Sequence, residues 1–245
     1  MMRTLLSLIV AIVFLVLGII VSFFLFLIGL FNKPLKDKIA LKLVQGAFGL
    51  ICFFAGAKKT VIGRENIPDD KPVLYVANHQ SFFDIIIGYR LVKGRCGFVA
   101  KKEMLKVPLL RHWMKLLYCL FLDRENIKEG LKTILQGIDY VKNQGISMWI
   151  FPEGTRNKTP EEGLLPFKEG ALKIAEKSGC PIIPVAISNT ANLFENHLPW
   201  MRRAKVTFRF GEPILLSELE KEDRKHAGAY VQKVIENMLE SDTQA

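Results

Sequence analysis

The chain has 245 residues, half of them hydrophobic, and a mean hydropathy of +0.21, high for a soluble enzyme. Its formal charge of +10 and pI of about 9.4 suit anionic partners: a phosphate-bearing substrate, an anionic carrier or an acidic lipid surface. It carries no zinc-type Cys/His spacing and no RNA-binding aromatic signature, so no metal and no nucleic acid is expected.

The first element is apolar. Residues 5–31 hold no charge and would form a helix about 40 Å long, against a hydrocarbon core of about 30 Å. That run is too long for a signal-peptide core and lacks a cleavage site, so a retained membrane helix is expected. Arg3 precedes it and Lys33, Lys36 and Lys38 follow, which places the remainder in the cytoplasm. Pro34 is expected to break this helix. A second apolar stretch, residues 43–57, is short for a span and reads as interfacial or re-entrant; the competing reading is a core helix of the following domain. Lys58 and Lys59 would sit at headgroup level. The chain thus divides into an anchoring segment, 1–57, and a catalytic domain, 58–245.

Beyond Lys59 short β-rich runs alternate with helical periodicity. Strands are expected over residues 73–77, 98–100, 120–122, 147–151, 182–187 and 206–210. Helices are expected over 82–92, 108–117, 126–142, 168–177 and 218–240, the last loosened near Gly228. This pattern predicts an α/β fold: a single layered domain with a mostly parallel buried sheet flanked by helices. The four cysteines, Cys52, Cys96, Cys119 and Cys180, lie mostly in apolar runs and read as small buried hydrophobes.

Polar residues cluster where predicted strands end, and ligands of open α/β sheets bind at such carboxyl ends. After the first run comes Asn78-His79-Gln80-Ser81-Phe82-Phe83-Asp84. Asp84 can accept a hydrogen bond from one imidazole nitrogen of His79, leaving the other to take a proton from a hydroxyl. The same text also fits a helix capping box, with Ser81 at N-cap and Asp84 at N3. One carboxylate is not expected to serve both roles fully. Ser81 as a nucleophile lacks the G-x-S-x-G elbow. Phe151-Pro152-Glu153-Gly154-Thr155-Arg156 follows another strand. There Gly154 permits close backbone approach, Arg156 offers a fork for phosphate oxygens, and Glu153 is expected to orient that arginine or bind a hydroxyl. Arg124, Lys101 and Lys102 follow two further strands. As isolated features they read equally as solvated surface charges; their convergence on one sheet edge favours an anion-binding mouth.

These blocks resemble those of the glycerolipid acyltransferase family, specifically the bacterial 1-acyl-glycerol-3-phosphate acyltransferases. Asn78-His79 with Asp84 matches the His-x4-Asp block, and Phe121-Leu122-Asp123-Arg124 looks like the second. Residues 151–156 match the third in full, and Ile182-Ile183-Pro184-Val185 is similar to the fourth. The resemblance spans about residues 58–211. It implies that His79, held by Asp84, deprotonates the sn-2 hydroxyl of lysophosphatidic acid, which attacks a thioester directly. It implies that Arg124, Glu153, Gly154, Thr155 and Arg156, assisted by Lys101, bind the glycerol-phosphate end. The donor would be acyl-CoA or acyl-acyl carrier protein, with no metal or redox cofactor. The lipid substrates would place the enzyme on the bacterial inner membrane; residues 198–203, around Trp200, read either as an ordinary hydrophobic loop or as a further interfacial contact. Two alternatives stay open: another acceptor, such as glycerol 3-phosphate or a lyso-aminolipid, or a non-catalytic lipid-binding protein of the same fold.

Overall fold

The structure, a computed structural model, describes residues 1–243. Two antiparallel helices lead the chain, α1 (Met2–Phe31) and α2 (Lys33–Ala55). Both are long and apolar enough to cross a membrane. Asn32 joins them: its backbone N–H donates to Ile28 O, closing α1, and its side chain accepts from Leu35 N at 2.9 Å, opening α2. Pro34 therefore does not merely end the first helix. It sits in the first turn of the second, where its missing N–H costs nothing.

This corrects the expectation of a short separate segment over 43–57. α2 is 23 residues long, and Ala40, Leu41, Val44, Ala47, Ile51, Cys52 and Ala55 form a buried stripe at helical spacing. That stripe belongs to the main apolar core with α3 (Phe82–Leu91), as the core-helix reading required. α1 buries only a narrow seam, Ser7, Gly18 and Leu25, and packs Phe14 against Trp113 of α4 (Pro108–Leu116), ring centroids 4.6 Å apart. Its other side exposes Leu5, Ile12, Val16, Phe23 and Leu30.

A single sheet of seven strands follows, in the order β1-β7-β6-β2-β5-β3-β4. The strands are β1 (Ala57–Ile62), β2 (Leu74–Ala77), β3 (Cys96–Lys101), β4 (Leu120–Leu122), β5 (Ser147–Ile150), β6 (Ile182–Ser188) and β7 (Ala204–Phe210). Every neighbouring pair is parallel except β6–β7. Alternate residues of the central strands enter two cores. Tyr75, Trp149, Ile183 and Val185 face the α2–α3 side. Leu74, Val76, Met148 and Ile150 face α5 (Ile127–Gln144), α6 (Lys173–Ser178) and α8 (Ala227–Thr243). Burial on both faces explains why these strands read as continuous apolar runs.

β1 was not foreseen. Lys58 and Lys59 belong to this edge strand. An edge strand needs one apolar face only, and lysine there discourages further pairing, so the segment carried no strand signal. The helix expected over 168–177 begins as a 3-10 turn, Glu169–Leu172, before α6. The C-terminal helix is split between α7 (Lys221–Lys225) and α8, close to Gly228, whose N–H donates to Glu169 Oε2 at 2.9 Å.

Candidate active site

Because β2, β3, β4, β5 and β6 are parallel, their carboxyl ends share one edge. His79 follows β2, Lys101 ends β3, Arg124 follows β4, Glu153 follows β5 and Thr190 follows β6. Asn78, fully buried, fixes the β2 end to β6. Its amide donates to Ile187 O at 2.9 Å and accepts from Ile187 N at 2.8 Å.

Asp84 is also fully buried and fills both roles that the sequence set in opposition. Its Oδ2 accepts from the backbone N–H groups of Gln80 at 2.7 Å and Ser81 at 2.8 Å, completing the capping box of α3. The same oxygen lies 2.8 Å from His79 Nδ1. Its Oδ1 accepts from the Thr190 hydroxyl. The reconciliation is geometric. The segment from His79 to Ser81 wraps around the carboxylate, so the imidazole and two N–H donors reach one oxygen from different directions. An acceptor surrounded by donors takes the imidazole as Nδ1–H, leaving the Nε2 lone pair free. Ser81 is excluded as nucleophile: it is buried and its hydroxyl donates to Glu195 Oε2 at 2.6 Å.

The main chain of His79 is held from both sides. Its N–H donates to Glu153 Oε1 at 2.7 Å, and its carbonyl accepts from Asn157 N at 2.7 Å. The ring stacks on Phe151, centroids 4.1 Å apart, and remains 14% exposed. Of the two roles expected of Glu153, the first is not found. It does not orient Arg156; it is buried, and both its oxygens accept backbone N–H groups, the second from Leu165 at 3.2 Å. Burial pushes its pKa up to about 7, against the pull of those two donors, and the charge of Asp84 adds to the rise.

Arg156 pairs with Glu195 at 3.1 Å and lies over the Phe82 ring at 4.0 Å. Glu195 also accepts from Phe82 N at 2.8 Å, so it ties the amino end of α3 to Arg156. Arg124 donates from Nη1 to the Gly154 carbonyl, and Gly154 adopts a φ of +76°. Thr155 and Lys101 are exposed, and neither has an ion pair among the described residues. Lys102 is occupied by Asp123 at 2.7 Å.

A cavity of about 250 Å³ opens beside this edge, walled by Val99, Leu122, Ile150 and Phe151, with Arg124 and Lys168 among its lining residues. A larger groove of about 520 Å³ lies between α1 and α4 and includes none of the site residues. Thr190, Glu195 and Lys168 escaped sequence reading. They belong to no motif, and only the sheet order brings the segment after β6 beside His79. The rule that polar residues at parallel strand ends face the ligand was the one signal that pointed to Thr190.

The profile of the family described as Acyltransferase matches residues 58–188, which include His79, Asp84, Lys101, Arg124 and the 153–156 loop. A 1-acyl-sn-glycerol-3-phosphate acyltransferase of Saccharomyces cerevisiae is 36% identical over 186 residues, covering 76% of this chain and 60% of that protein. The chain therefore spans less than two thirds of the yeast relative. The protein of that name from Haemophilus influenzae is 32% identical, covering 98% of this chain and 94% of its own length. The crystal structure of the 1-acyl-sn-glycerophosphate (LPA) acyltransferase PlsC from Thermotoga maritima superimposes with a TM-score of 0.81 at 29% identity, covering 99% of this chain and 95% of that one. With a buried carboxylate behind an imidazole at the edge of a mostly parallel sheet, and relatives of this extent, the chain belongs to the acyltransferase family that includes the 1-acyl-sn-glycerol-3-phosphate acyltransferases.

Proposed function

We propose that this protein transfers a fatty acyl group from a thioester donor to the sn-2 hydroxyl of lysophosphatidic acid, giving phosphatidic acid. The observation that carries the reading is the His79–Asp84 pair, 2.8 Å apart, with Nε2 free at a strand-end edge that also holds cations. The names of the relatives supply the acceptor.

The substrate hydroxyl binds against Nε2, which removes its proton as the oxygen attacks the thioester carbonyl. Asp84 keeps the proton on Nδ1 and stabilises the imidazolium. The carbon–sulfur bond breaks, and the imidazolium returns the proton to the departing thiolate. An oxygen ester replaces a thioester with no net redox change, so no redox cofactor is required. Arg124, Arg156 and Lys101, with the backbone of Gly154 and Thr155, hold the glycerol-phosphate end. Glu153 acts on His79 rather than on substrate, fixing its N–H. The donor is acyl-CoA or acyl-acyl carrier protein; both are anionic and match the net charge of +10.

Residues 1–57 anchor the enzyme through the exposed apolar side of α1, and residues 58–245 carry the chemistry. The basic residues Lys33, Lys36 and Lys38, which follow α1, support a site on the cytoplasmic side of a bacterial inner membrane. The test is a mass-resolved acyl-transfer assay of purified protein with both donors and with lysophosphatidic acid, glycerol 3-phosphate and a lyso-aminolipid as acceptors. Phosphatidic acid is the expected main product; its absence beside an active alternative acceptor refutes the assignment.

A further inference from the structure

We infer that Lys168, which no sequence block singled out, acts with Arg124 across Gly154 in binding the phosphomonoester, alongside Arg156 and Lys101. The inference rests on the acyl-transfer reading above and assigns the charge that reading needs.

A Cβ on Gly154 would lie 3.0 Å from Lys168 Nζ and 3.7 Å from Arg124 Cζ. Two cationic heads therefore meet over one α-carbon. Both residues are exposed, yet each is tied to this turn. Arg124 is anchored on the Gly154 carbonyl, and the Lys168 backbone N–H donates to Pro152 O at 3.1 Å. Neither forms an ion pair among the described residues. Of the other cations nearby, Arg156 is paired with Glu195 at 3.1 Å and Lys102 with Asp123 at 2.7 Å, whereas Lys101 is exposed and has no ion pair among the described residues. Like charges held side by side repel; the charge of Glu103 reaches Arg124 without an ion pair, so both cationic heads remain available to a ligand.

A phosphomonoester carries close to two negative charges at neutral pH and presents three acceptor oxygens. It matches a guanidinium fork beside an ammonium point charge. Glycine at 154, with its φ of +76°, lets those oxygens approach the turn where a side chain would stand. The neighbouring cavity of about 250 Å³ is apolar behind this charged mouth, and its wall Phe151 is the ring on which His79 stacks. Head-group binding at Arg124 and Lys168 thus lies one aromatic ring away from the general base.

Phosphomonoesters occur on both substrates: on the lysophospholipid acceptor and at the 3′-phosphate of an acyl-CoA donor. The full chain in detergent-lipid micelles, with Lys168→Met and Lys168→Arg, separates them by KM for each substrate. Lys168→Met is expected to raise KM for lysophosphatidic acid about tenfold or more with kcat little changed, and Lys168→Arg to restore most of it. A rise confined to acyl-CoA assigns the same site to the donor. Unchanged KM for both substrates, in a variant that melts like the wild type, overturns the inference while leaving the acyl-transfer reading intact. If the wild type does not acylate lysophosphatidic acid, that reading fails instead. Thermal stabilisation by inorganic phosphate then decides Lys168: a shift lost in Lys168→Met supports the site, and a shift equal in both proteins refutes it.

Discussion

At the residue scale, Asp84 concentrates the most function. One buried carboxylate caps α3, orients His79 and accepts the Thr190 hydroxyl. Thr190→Val removes the only donor to Oδ1 among the described residues and leaves that oxygen buried. The expected loss is about 1–3 kcal/mol of stability, read by thermal melting, with acyl transfer falling several-fold, while Thr190→Ser keeps both near wild type. Glu153 gives a pH signature. Its folded pKa of about 7 stands above the ordinary 4.5, so the folded state holds the proton more tightly than the unfolded chain. Its contribution to stability is therefore full below about pH 4.5 and lost as pH rises through about 7, an effect on the order of 3 kcal/mol. Glu153→Gln should flatten this slope relative to wild type in melting curves from pH 4.5 to 8; parallel slopes would show that Glu153 does not titrate there. His79 and Asp84 were legible because their spacing is local. Thr190, which holds Asp84, and Glu195, which holds Ser81 and Phe82 beside it, were not, since they lie 106 and 113 or more positions away along the chain.

At the element scale, the strand ends decide what the loops do. Each cationic loop follows a parallel strand, so alternating strands and helices in the sequence were enough to predict a common edge. The reading failed where tertiary pairing replaces periodicity. β1, with two exposed lysines, is a strand only because β7 pairs with it. α2 was underestimated because Pro34 reads equally as a stop or as a start, and only the cap by Asn32 distinguishes them. The turn after β5 makes the sharpest test at this scale. Gly154→Ala places a β-carbon in left-handed backbone and 3.0 Å from Lys168 Nζ. It should cost about 1–2 kcal/mol in thermal melting and raise KM for the phosphate-bearing substrate at least severalfold. An activity equal to wild type would mean that this turn does not approach the ligand.

At the scale of the whole molecule, an apolar hairpin is packed against a charged catalytic layer. α2 is part of the core, whereas α1 keeps one side in contact and leaves the other exposed over its length. Exposed apolar surface of that extent is stable in lipid and costly in water. Val16→Glu with Phe23→Glu should therefore move the protein from vesicles to the unbound fraction in flotation, with activity on detergent-dispersed substrate kept within a few-fold; undiminished flotation would mean that another surface holds the membrane. Composition made the apolar segment plain from sequence, but its seam with α4, through Phe14 and Trp113, depends on three-dimensional packing that no local pattern encodes. The proposed chemistry turns on one proton transfer, from the acceptor hydroxyl to Nε2 of His79. The most direct measurement is the rate of phosphatidic acid formation by His79→Ala at saturating substrates, with melting curves confirming the fold. A general base held by Asp84 predicts a fall of about 10²–10⁴; a rate equal to wild type in a folded variant contradicts it.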